Sequence, residues 1–321
     1  MTNSHTYSRR HLLGAAASGV AATSLIGVAG SALAGGDEDT EDRSPLETEV
    51  TLTWLGNNAW HLASGDIDIL IDPWLTRFHT GTYSEEGADP QTPLSFDPAI
   101  IDRYVDRCNH VLVTHGHYDH LTDVPYIAQR TGATVTGTET HLNLLRAMDT
   151  PDEQLSTVSG GEVYEYEGYT VEVLPAAHSA GGPRRRLPFP GTLSGRVPDR
   201  PTVIADLVEG GSLAYLITIG DVSILNFGSS NYIGRAIEGL RPTVAMVMPS
   251  GGGIPGYVPR LMECLGNPRY LLPTHWDDFD EPLEEPAVDW GGLDGLRQAV
   301  TDVGARTEFV VVDHLESFTP R

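Results

Sequence analysis

Alternating polar and apolar positions predict β-strands in the first part of the chain. Glu49–Leu55 and Asp66–Asp72 alternate with period two, and the second segment stops at Pro73. Val111-Leu112-Val113-Thr114 is a short apolar run, typical of a strand whose two faces are both buried. The pattern therefore predicts an opening hairpin or meander that is followed by a buried strand.

The remainder of the chain alternates between apolar strand patterns and segments with helical periodicity. Helices are predicted at Leu121–Arg130, Glu139–Met148, Asn231–Leu240, Val258–Leu265 and Leu293–Val303, and strands at Ala133–Thr136, Val163–Tyr166, Tyr169–Leu174, Leu213–Ile219, Val222–Phe227, Thr243–Met248, Tyr270–Leu272 and Glu308–Val312. Hairpins come first in each half, and strand–helix alternation follows. Two mixed sheets packed face to face with helices outside would explain this order, although periodicity alone does not separate it from an ordinary α/β sandwich.

Residues 1–34 have the pattern of an export signal. Ser8-Arg9-Arg10 precedes an apolar stretch diluted by Gly, Ala and Ser, and Ala32-Leu33-Ala34 resembles a signal peptidase site. The alternative is a transmembrane anchor, but so many small residues argue against a stable membrane span. We expect the twin-arginine export machinery to carry the protein to the periplasm or the extracellular space.

Composition limits the rest of the chain to one acidic globular domain. Residues 35–48 are rich in Gly, Ser and acids and predict a flexible linker, whereas 49–321 show no internal repeat and form one predicted domain. The formal net charge is -24, from 44 acids and 20 bases, so the chain would repel nucleic acid. Cys108 and Cys264 could form one bridge, but two small buried hydrophobes are the simpler interpretation.

Candidate chemistry is concentrated directly after the buried strand, in Thr114-His115-Gly116-His117-Tyr118-Asp119-His120. Because alternate residues of an extended turn point to the same side, His115 and His117 can share one metal ion. Asp119 and His120, where the chain bends into a helix, can face a second ion. Imidazole and carboxylate ligands suit Zn²⁺, and also manganese or iron.

The motif H-x-H-x-D-H in this setting resembles the metallo-β-lactamase superfamily. The similarity extends to Trp54-Leu55-Gly56, Leu70-Ile71-Asp72-Pro73, Met248-Pro249-Ser250-Gly251-Gly252 and Pro273-Thr274-His275-Trp276, and so covers about 55–280. It is greatest for the branch of ascorbate-phosphate lactonase-like and N-acylphosphatidylethanolamine phospholipase D-like enzymes. The resemblance implies the αββα sandwich fold. It also implies His178 as third ligand of the first metal and His275 as ligand of the second, with Asp72 either orienting a ligand histidine or capping its strand.

One position departs from the family pattern. Phe227-Gly228-Ser229-Ser230 aligns with the Gly-Asp-Thr turn whose Asp bridges the two metals, so Ser229 stands where a carboxylate is expected. A neutral hydroxyl is a weak ligand for a dication. Three outcomes stay open at this point: a loosely held second metal, a single metal, or a protein that binds without catalysing.

The resemblance predicts an exported metal-dependent hydrolase in which a metal-bound hydroxide attacks an ester, lactone or phosphodiester. Metal-binding His117 and Asp119 are the catalytic candidates, with Asp119 orienting the nucleophile and taking its proton. The run Arg184-Arg185-Arg186 follows the His178 segment and could bind a substrate phosphate or carboxylate, or could be a solvated loop. Tyr118 is a further candidate for substrate contact. A phospholipase-like enzyme acting at membranes and a non-catalytic metal or ligand binder are the alternatives.

Overall fold

The structure is a computed structural model and describes residues 45–181, 185–249, 254–304 and 306–321. These residues form two mixed β-sheets of seven strands each. The predicted export signal, most of the predicted linker, Arg184 and the glycine run after Pro249 lie outside the described residues. Residues Pro45–Arg321 form one compact unit. Within the described residues, no helix has both the length and the apolar content that a bilayer crossing requires.

The first sheet combines an antiparallel half with a parallel half. Its strands are β1 (Thr51–Trp54), β2 (Trp60–Ser64), β3 (Ile67–Ile71), β4 (His110–Leu112), β5 (Thr134–Gly137), β6 (Leu155–Thr157) and β14 (Ser317–Phe318), in the order β14-β1-β2-β3-β4-β5-β6. Strands β14, β1, β2 and β3 pair antiparallel, and β3, β4, β5 and β6 pair parallel.

The second sheet has the same division. Its strands are β7 (Val163–Tyr166), β8 (Tyr169–Pro175), β9 (Leu213–Ile219), β10 (Val222–Asn226), β11 (Val244–Val247), β12 (Tyr270–Pro273) and β13 (Glu308–Phe309), in the order β13-β12-β11-β10-β9-β8-β7. The pairs from β7 to β10 are antiparallel, and those from β10 to β13 are parallel.

Helices cover the outer faces of both sheets. They are α1 (Pro98–Tyr104), α2 (Tyr118–Leu121), α3 (Val124–Thr131), α4 (Glu139–Ala147), α5 (Gly234–Ile237), α6 (Tyr257–Leu265) and α7 (Leu293–Asp302), with short 3-10 turns at Asp152–Gln154 and Ile204–Asp206. Helices α1 to α4 pack on the first sheet and α5 to α7 on the second, as their shared apolar clusters show.

The alternation of side chains along the strands explains why the two sheets and their helices form four layers. In β3, Ile69 and Ile71 join the cluster shared by the two sheets, while Leu70 joins the cluster beneath the outer helices. In β11, Met246 faces the other sheet and Ala245 the helices. Because successive strand residues point to opposite faces, strands that are apolar on both faces need cover on both sides. The predicted αββα sandwich is confirmed.

Several predicted elements differ in length. The helix predicted at Leu121–Arg130 is divided between α2, which ends at Leu121, and α3, which begins at Val124. Pro125 lacks the N–H that would continue α2, and it lies in the first turn of α3, where that N–H is not needed. The helix predicted at Asn231–Leu240 contracts to four residues in α5, which begins at Gly234 and is followed by Gly239. The strand predicted at Glu308–Val312 is regular only over Glu308–Phe309. Strands β2, β6 and β14 and helix α1 were not predicted.

Candidate metal centre

The ends of strands from both sheets supply the predicted ligands. His115 and His117 follow β4, and Asp119 and His120 lie in α2 directly after them. The others come from separate elements: Asp72 follows β3, His178 follows β8, Ser229 follows β10 and His275 follows β12. The fold therefore brings residues that are far apart in sequence close together at these strand ends.

One group of three histidines converges through their ring nitrogens. Ligand atoms of His115, His117 and His178 lie within 4.8 Å of one another, and Nε2 of His115 is 3.2 Å from Nε2 of His178. Nε2 of His117 lies 3.0 Å from the carbonyl oxygen of Pro188, and Nδ1 of His178 lies 2.6 Å from that of Ser179. Because carbonyl oxygens only accept, these outer nitrogens carry hydrogens and leave Nδ1 of His117 and Nε2 of His178 with a free lone pair.

A second group contains Asp119, His120 and His275. Oδ2 of Asp119 is 3.3 Å from Nε2 of His120 and 3.2 Å from Nε2 of His275. Nδ1 of His120 donates to Oδ2 of Asp72 at 2.7 Å, so in the neutral ring, the form that binds a metal, Nε2 carries the lone pair. This Nε2 is buried without a hydrogen-bond partner. An orphaned buried nitrogen beside a carboxylate and a second imidazole is the donor set that a divalent cation requires, so the residues fit a metal.

Asp72 also lies within ligand distance of His115 and His120, but its hydrogen bonds argue against a ligand role. Its Oδ1 accepts from the Thr114 N–H at 2.7 Å, and its Oδ2 accepts from Asn58, His120 and the Thr114 hydroxyl. Its side chain is fully buried and both oxygens are engaged. Asp72 therefore fixes the ring of His120 and the start of the histidine loop, as such outer carboxylates do in metal sites.

Asn57 organises the second group and was not found from the sequence. Its Nδ2 donates to the backbone oxygen of Asp119 at 2.6 Å and lies 3.3 Å from Oδ2, while its carbonyl oxygen accepts from the His275 N–H at 2.7 Å. The N–H of Asn57 in turn donates to the buried carboxylate of Asp277 at 3.0 Å. One turn residue thus connects two predicted ligands, although its only signal in the sequence was a polar turn after a strand.

Burial controls the charge of the first group. Burial and the neighbouring histidines keep the pKa of His115 well below its ordinary value. The same causes lower the pKa of His117 to about 3, and burial lowers the pKa of His178. The three imidazoles are therefore neutral at neutral pH, which is the form that coordinates metals.

In the second group, the neighbouring charges outweigh the effect of burial on the pKa values. Burial opposes charge on His120, but the carboxylates of Asp119 and Asp72 outweigh it and raise the pKa of His120 to about 10. Burial also opposes charge on Asp119, yet His120 and His275 hold the pKa of Asp119 well below its ordinary value. Two buried carboxylates around one imidazole favour positive charge at its Nε2, which a bound cation would supply.

Ser229 lies beside the first group of histidines. Its buried hydroxyl accepts from the N–H of Ser179, the neighbour of His178, at 2.8 Å. The preceding Gly228 has φ +63°, and a Cβ there would lie 2.0 Å from the Thr114 hydroxyl. The turn thus needs glycine in order to approach the histidine loop, and it brings a hydroxyl to the position where the family resemblance places a carboxylate.

A cavity of about 690 Å³ opens on the site. Its wall contains all six predicted ligands, Ser229 and Tyr118, together with Thr82, Tyr83, Phe189, Met248, Phe279 and Trp290. No arginine is among the described residues that line it. Arg185 and Arg186 are exposed outside this wall, and Arg184 lies outside the described residues. The predicted arginine contact with substrate gains no support, whereas Tyr118 is placed at the cavity.

The two cysteines are not paired. Cys108 is buried and Cys264 half-buried, and both are free. Burial raises the pKa of Cys108 to about 12 and also raises the pKa of Cys264. The interpretation of both as small hydrophobic residues is therefore the one that the structure favours.

Comparisons with known proteins identify the family of the domain. The family described as Beta-lactamase superfamily domain matches residues 51–262. A UPF0173 metal-dependent hydrolase of Methanopyrus kandleri is 26% identical over 279 residues, which are 84% of this chain and 99% of that protein.

Solved structures share the fold at low sequence identity. Igni18, described as a novel metallo hydrolase from Ignicoccus hospitalis, has a TM-score of 0.57 at 20% identity and covers 85% of this chain and 98% of its own. An isothiocyanate hydrolase from Delia radicum gut bacteria has a TM-score of 0.55 at 14% identity and covers 84% and 98%. The family match spans most of the two-sheet domain, and its histidine loop lies within the matched residues. The chain therefore belongs to the metallo-β-lactamase superfamily.

Proposed function

We propose that this protein is a metal-dependent hydrolase that cleaves neutral esters or lactones carrying an apolar group. The observation that carries the proposal is the inward orientation of the imidazole nitrogens, which outer hydrogen bonds from His117, His178 and His120 enforce. Relatives described as metal-dependent hydrolases, which cover nearly the whole domain, support the same reaction class.

His115, His117 and His178 would hold one cation, and Asp119, His120 and His275 a second. When bound, a divalent cation polarises a carbonyl oxygen and lowers the pKa of a coordinated water. Asp119 would orient the attacking water and accept its proton on a carboxylate oxygen, while Asn57 keeps that carboxylate in place. The imidazole nitrogens suit Zn²⁺, and Mn²⁺ or iron would also be accepted by this mixed set.

Ser229 bears on how many ions the site holds. Its hydroxyl already accepts the Ser179 N–H, and it brings no negative charge. The second group still offers one carboxylate and two imidazoles, a complete set of three protein ligands. We therefore propose two ions of unequal affinity, with the second held more weakly because the usual bridging carboxylate is missing.

The cavity wall indicates the substrate class. At its side, the ring of Tyr83 contacts the rings of Phe279 and Trp290, with centroid distances of 4.8 and 4.9 Å. Trp290 is 59% exposed, so an apolar group on the substrate could cover it. An anionic phosphodiester would find no arginine among the described lining residues and would approach a chain of net charge -24. These features favour a neutral ester or lactone.

A phospholipase-like enzyme is the second candidate, and the exposed apolar face of Trp290 is what favours it. Turnover of phospholipid vesicles in preference to soluble 4-nitrophenyl esters would support this candidate over the first. Trp290→Ala tests whether the indole ring binds the apolar group of the substrate. It should raise KM for esters with an aromatic or long acyl group and leave KM for acetate esters nearly unchanged.

The proposal is tested by metal analysis of the purified protein combined with hydrolysis of a panel of 4-nitrophenyl esters and lactones. We expect bound divalent metal, activity that a chelator removes, and a loss of at least about 100-fold in kcat/KM in His117→Ala. The matched control is His61→Ala, since His61 pairs with Asp68 on the first sheet and does not line the cavity. Bound metal without turnover across the panel would instead indicate a non-catalytic binder.

We also propose export by the twin-arginine route, which rests on the sequence of residues 1–34 alone. Residues 1–34 fused to a reporter should be exported by a twin-arginine system, and replacing both Arg9 and Arg10 by Lys should keep the reporter inside. Export that is unaffected by the double replacement would contradict the proposal.

A further inference from the structure

A continuous chain of hydroxyl groups leads to the wall of the cavity. Oδ1 of Asp280 is 2.8 Å from Oγ1 of Thr80, which is 2.7 Å from Oγ1 of Thr82. Oγ1 of Thr82 is in turn 2.8 Å from the phenolic oxygen of Tyr118. Thr82 and Tyr118 both line the cavity beside the predicted metal ligands, so the chain ends at the reaction site.

The single hydrogen on each hydroxyl group determines which group donates in each of these hydrogen bonds. An ionised carboxylate only accepts, and Oδ1 of Asp280 already accepts the Thr80 N–H at 2.6 Å, so the Thr80 hydroxyl donates to it. Thr80 has then used its one hydrogen, and the Thr82 hydroxyl must donate to Thr80. Thr82 has likewise used its hydrogen, so the Tyr118 hydroxyl must donate to Thr82.

The ring of Tyr118 is held in place independently of these hydrogen bonds. Tyr118 is 5% exposed. Its ring makes edge contacts with Trp74 and Phe279 at centroid distances of 5.7 and 6.4 Å and a tilted contact with Phe78 at 6.1 Å. The ring cannot rotate away without leaving this aromatic cluster, so the position of its oxygen is set by the fold.

We propose that the oxygen of Tyr118 serves as a hydrogen-bond acceptor for the substrate and selects esters or lactones that carry a hydroxyl group near the scissile bond. Its own hydrogen is committed to Thr82, which leaves a lone pair and no donor for the cavity. Tyr118 is the specificity residue, while Thr82, Thr80 and Asp280 are positioning residues that set its direction. The inference rests on the proposed hydrolase function and narrows its substrate class.

The kinetic test compares 4-nitrophenyl butyrate with the 2-hydroxy- and 3-hydroxybutyrate esters, which share a leaving group. We expect the wild-type enzyme to prefer at least one hydroxylated ester by about tenfold in kcat/KM, the effect of one good hydrogen bond. Tyr118→Phe should bring this ratio close to one. Thr82→Val frees the Tyr118 hydrogen to turn toward the cavity and should lower the ratio. Thr82→Ser keeps the hydroxyl and should restore the preference, and Thr301→Val, an exposed threonine of α7, should leave it unchanged.

A wild-type ratio near one, or a ratio that Thr82→Val does not alter, would overturn the inference even if the esters are hydrolysed. If none of them is hydrolysed, the proposed function fails, and the hydrogen-bond direction is then decided by neutron diffraction from a crystal of the full domain in D2O. Nuclear density for a deuteron on Tyr118 directed at Thr82 supports the inference. A deuteron directed into the cavity contradicts it.

Discussion

Asp72→Asn is the substitution that most sharply separates a metal-supporting role from a purely structural one. In the wild-type protein, Oδ2 of Asp72 accepts from Nδ1 of His120 at 2.7 Å, and Oδ1 accepts from the Thr114 N–H at 2.7 Å. The least costly orientation of the new amide keeps its oxygen toward His120 and turns its NH2 group toward the Thr114 N–H. Two buried donors then face each other.

The magnitude follows from these contacts. One unsatisfied buried donor costs about 1–3 kcal/mol in the free energy of unfolding. The neutral amide also holds the His120 ring less firmly and makes its Nε2 a weaker ligand. Substitutions of such outer groups reduce metal affinity by about 10–100-fold, or roughly 1.4–2.8 kcal/mol. We expect the loss to fall on the ion bound by Asp119, His120 and His275.

The assay is a calorimetric titration of metal-free protein with Zn²⁺, alongside thermal unfolding without metal. Asp68→Asn is the control, because Asp68 lies in β3 and also pairs with a histidine, His61, at 2.8 Å, but at a distance from the cavity wall. Asp68 is additionally paired with Arg107 at 2.6 Å. Asp72→Asn should weaken the second binding step, whereas Asp68→Asn should leave both steps unchanged. Equal weakening by the two variants, or destabilisation in Asp72→Asn without any change in affinity, would refute the reasoning.

Three further predictions concern the neighbouring turn and the thiols. Ser229→Asp should raise occupancy of the second metal in elemental analysis, since it adds a carboxylate beside the site; unchanged occupancy would count against the alignment of this turn. Gly228→Ala should lower the free energy of unfolding by about 2–4 kcal/mol in denaturant titrations, because its Cβ would meet Thr114 and its φ is positive. At pH 8, iodoacetamide should modify half-buried Cys264 before Cys108, whose pKa burial raises to about 12; equal rates in mass spectrometry would contradict the buried position.

The fold was predictable where the local pattern and the tertiary environment agree. Val111-Leu112-Val113 is apolar on both faces, and β4 is buried on both faces. Helix α1 was missed even though Asp97 caps it and Pro98 occupies its first turn, because a short helix has little apolar periodicity. Strand β14 has two residues and gains its identity only from pairing with β1.

The convergence of the candidate ligand histidines was predictable because imidazoles clustered after a buried strand have few structural uses, and family resemblance supplied the distant ones. Asp72 was also predicted as a residue that could orient one of them, but Asn57 and Pro188, which orient others, were not predicted. Pro188 contributes a backbone carbonyl to His117, which no side-chain pattern reveals. Asn57 reaches Asp119 only after β1 and α2 have come together in the folded domain. Such contacts depend on tertiary structure and have no local signal.

Anomalous diffraction at the metal edge, from crystals of metal-loaded protein, tests the proposed metal centre most directly. We expect a strong peak within bonding distance of Nδ1 of His117 and Nε2 of His115 and His178. We expect a second, weaker peak against Asp119 and the buried Nε2 of His120. An ion bound elsewhere, with these nitrogens unliganded at saturating metal, would contradict the proposed metal centre.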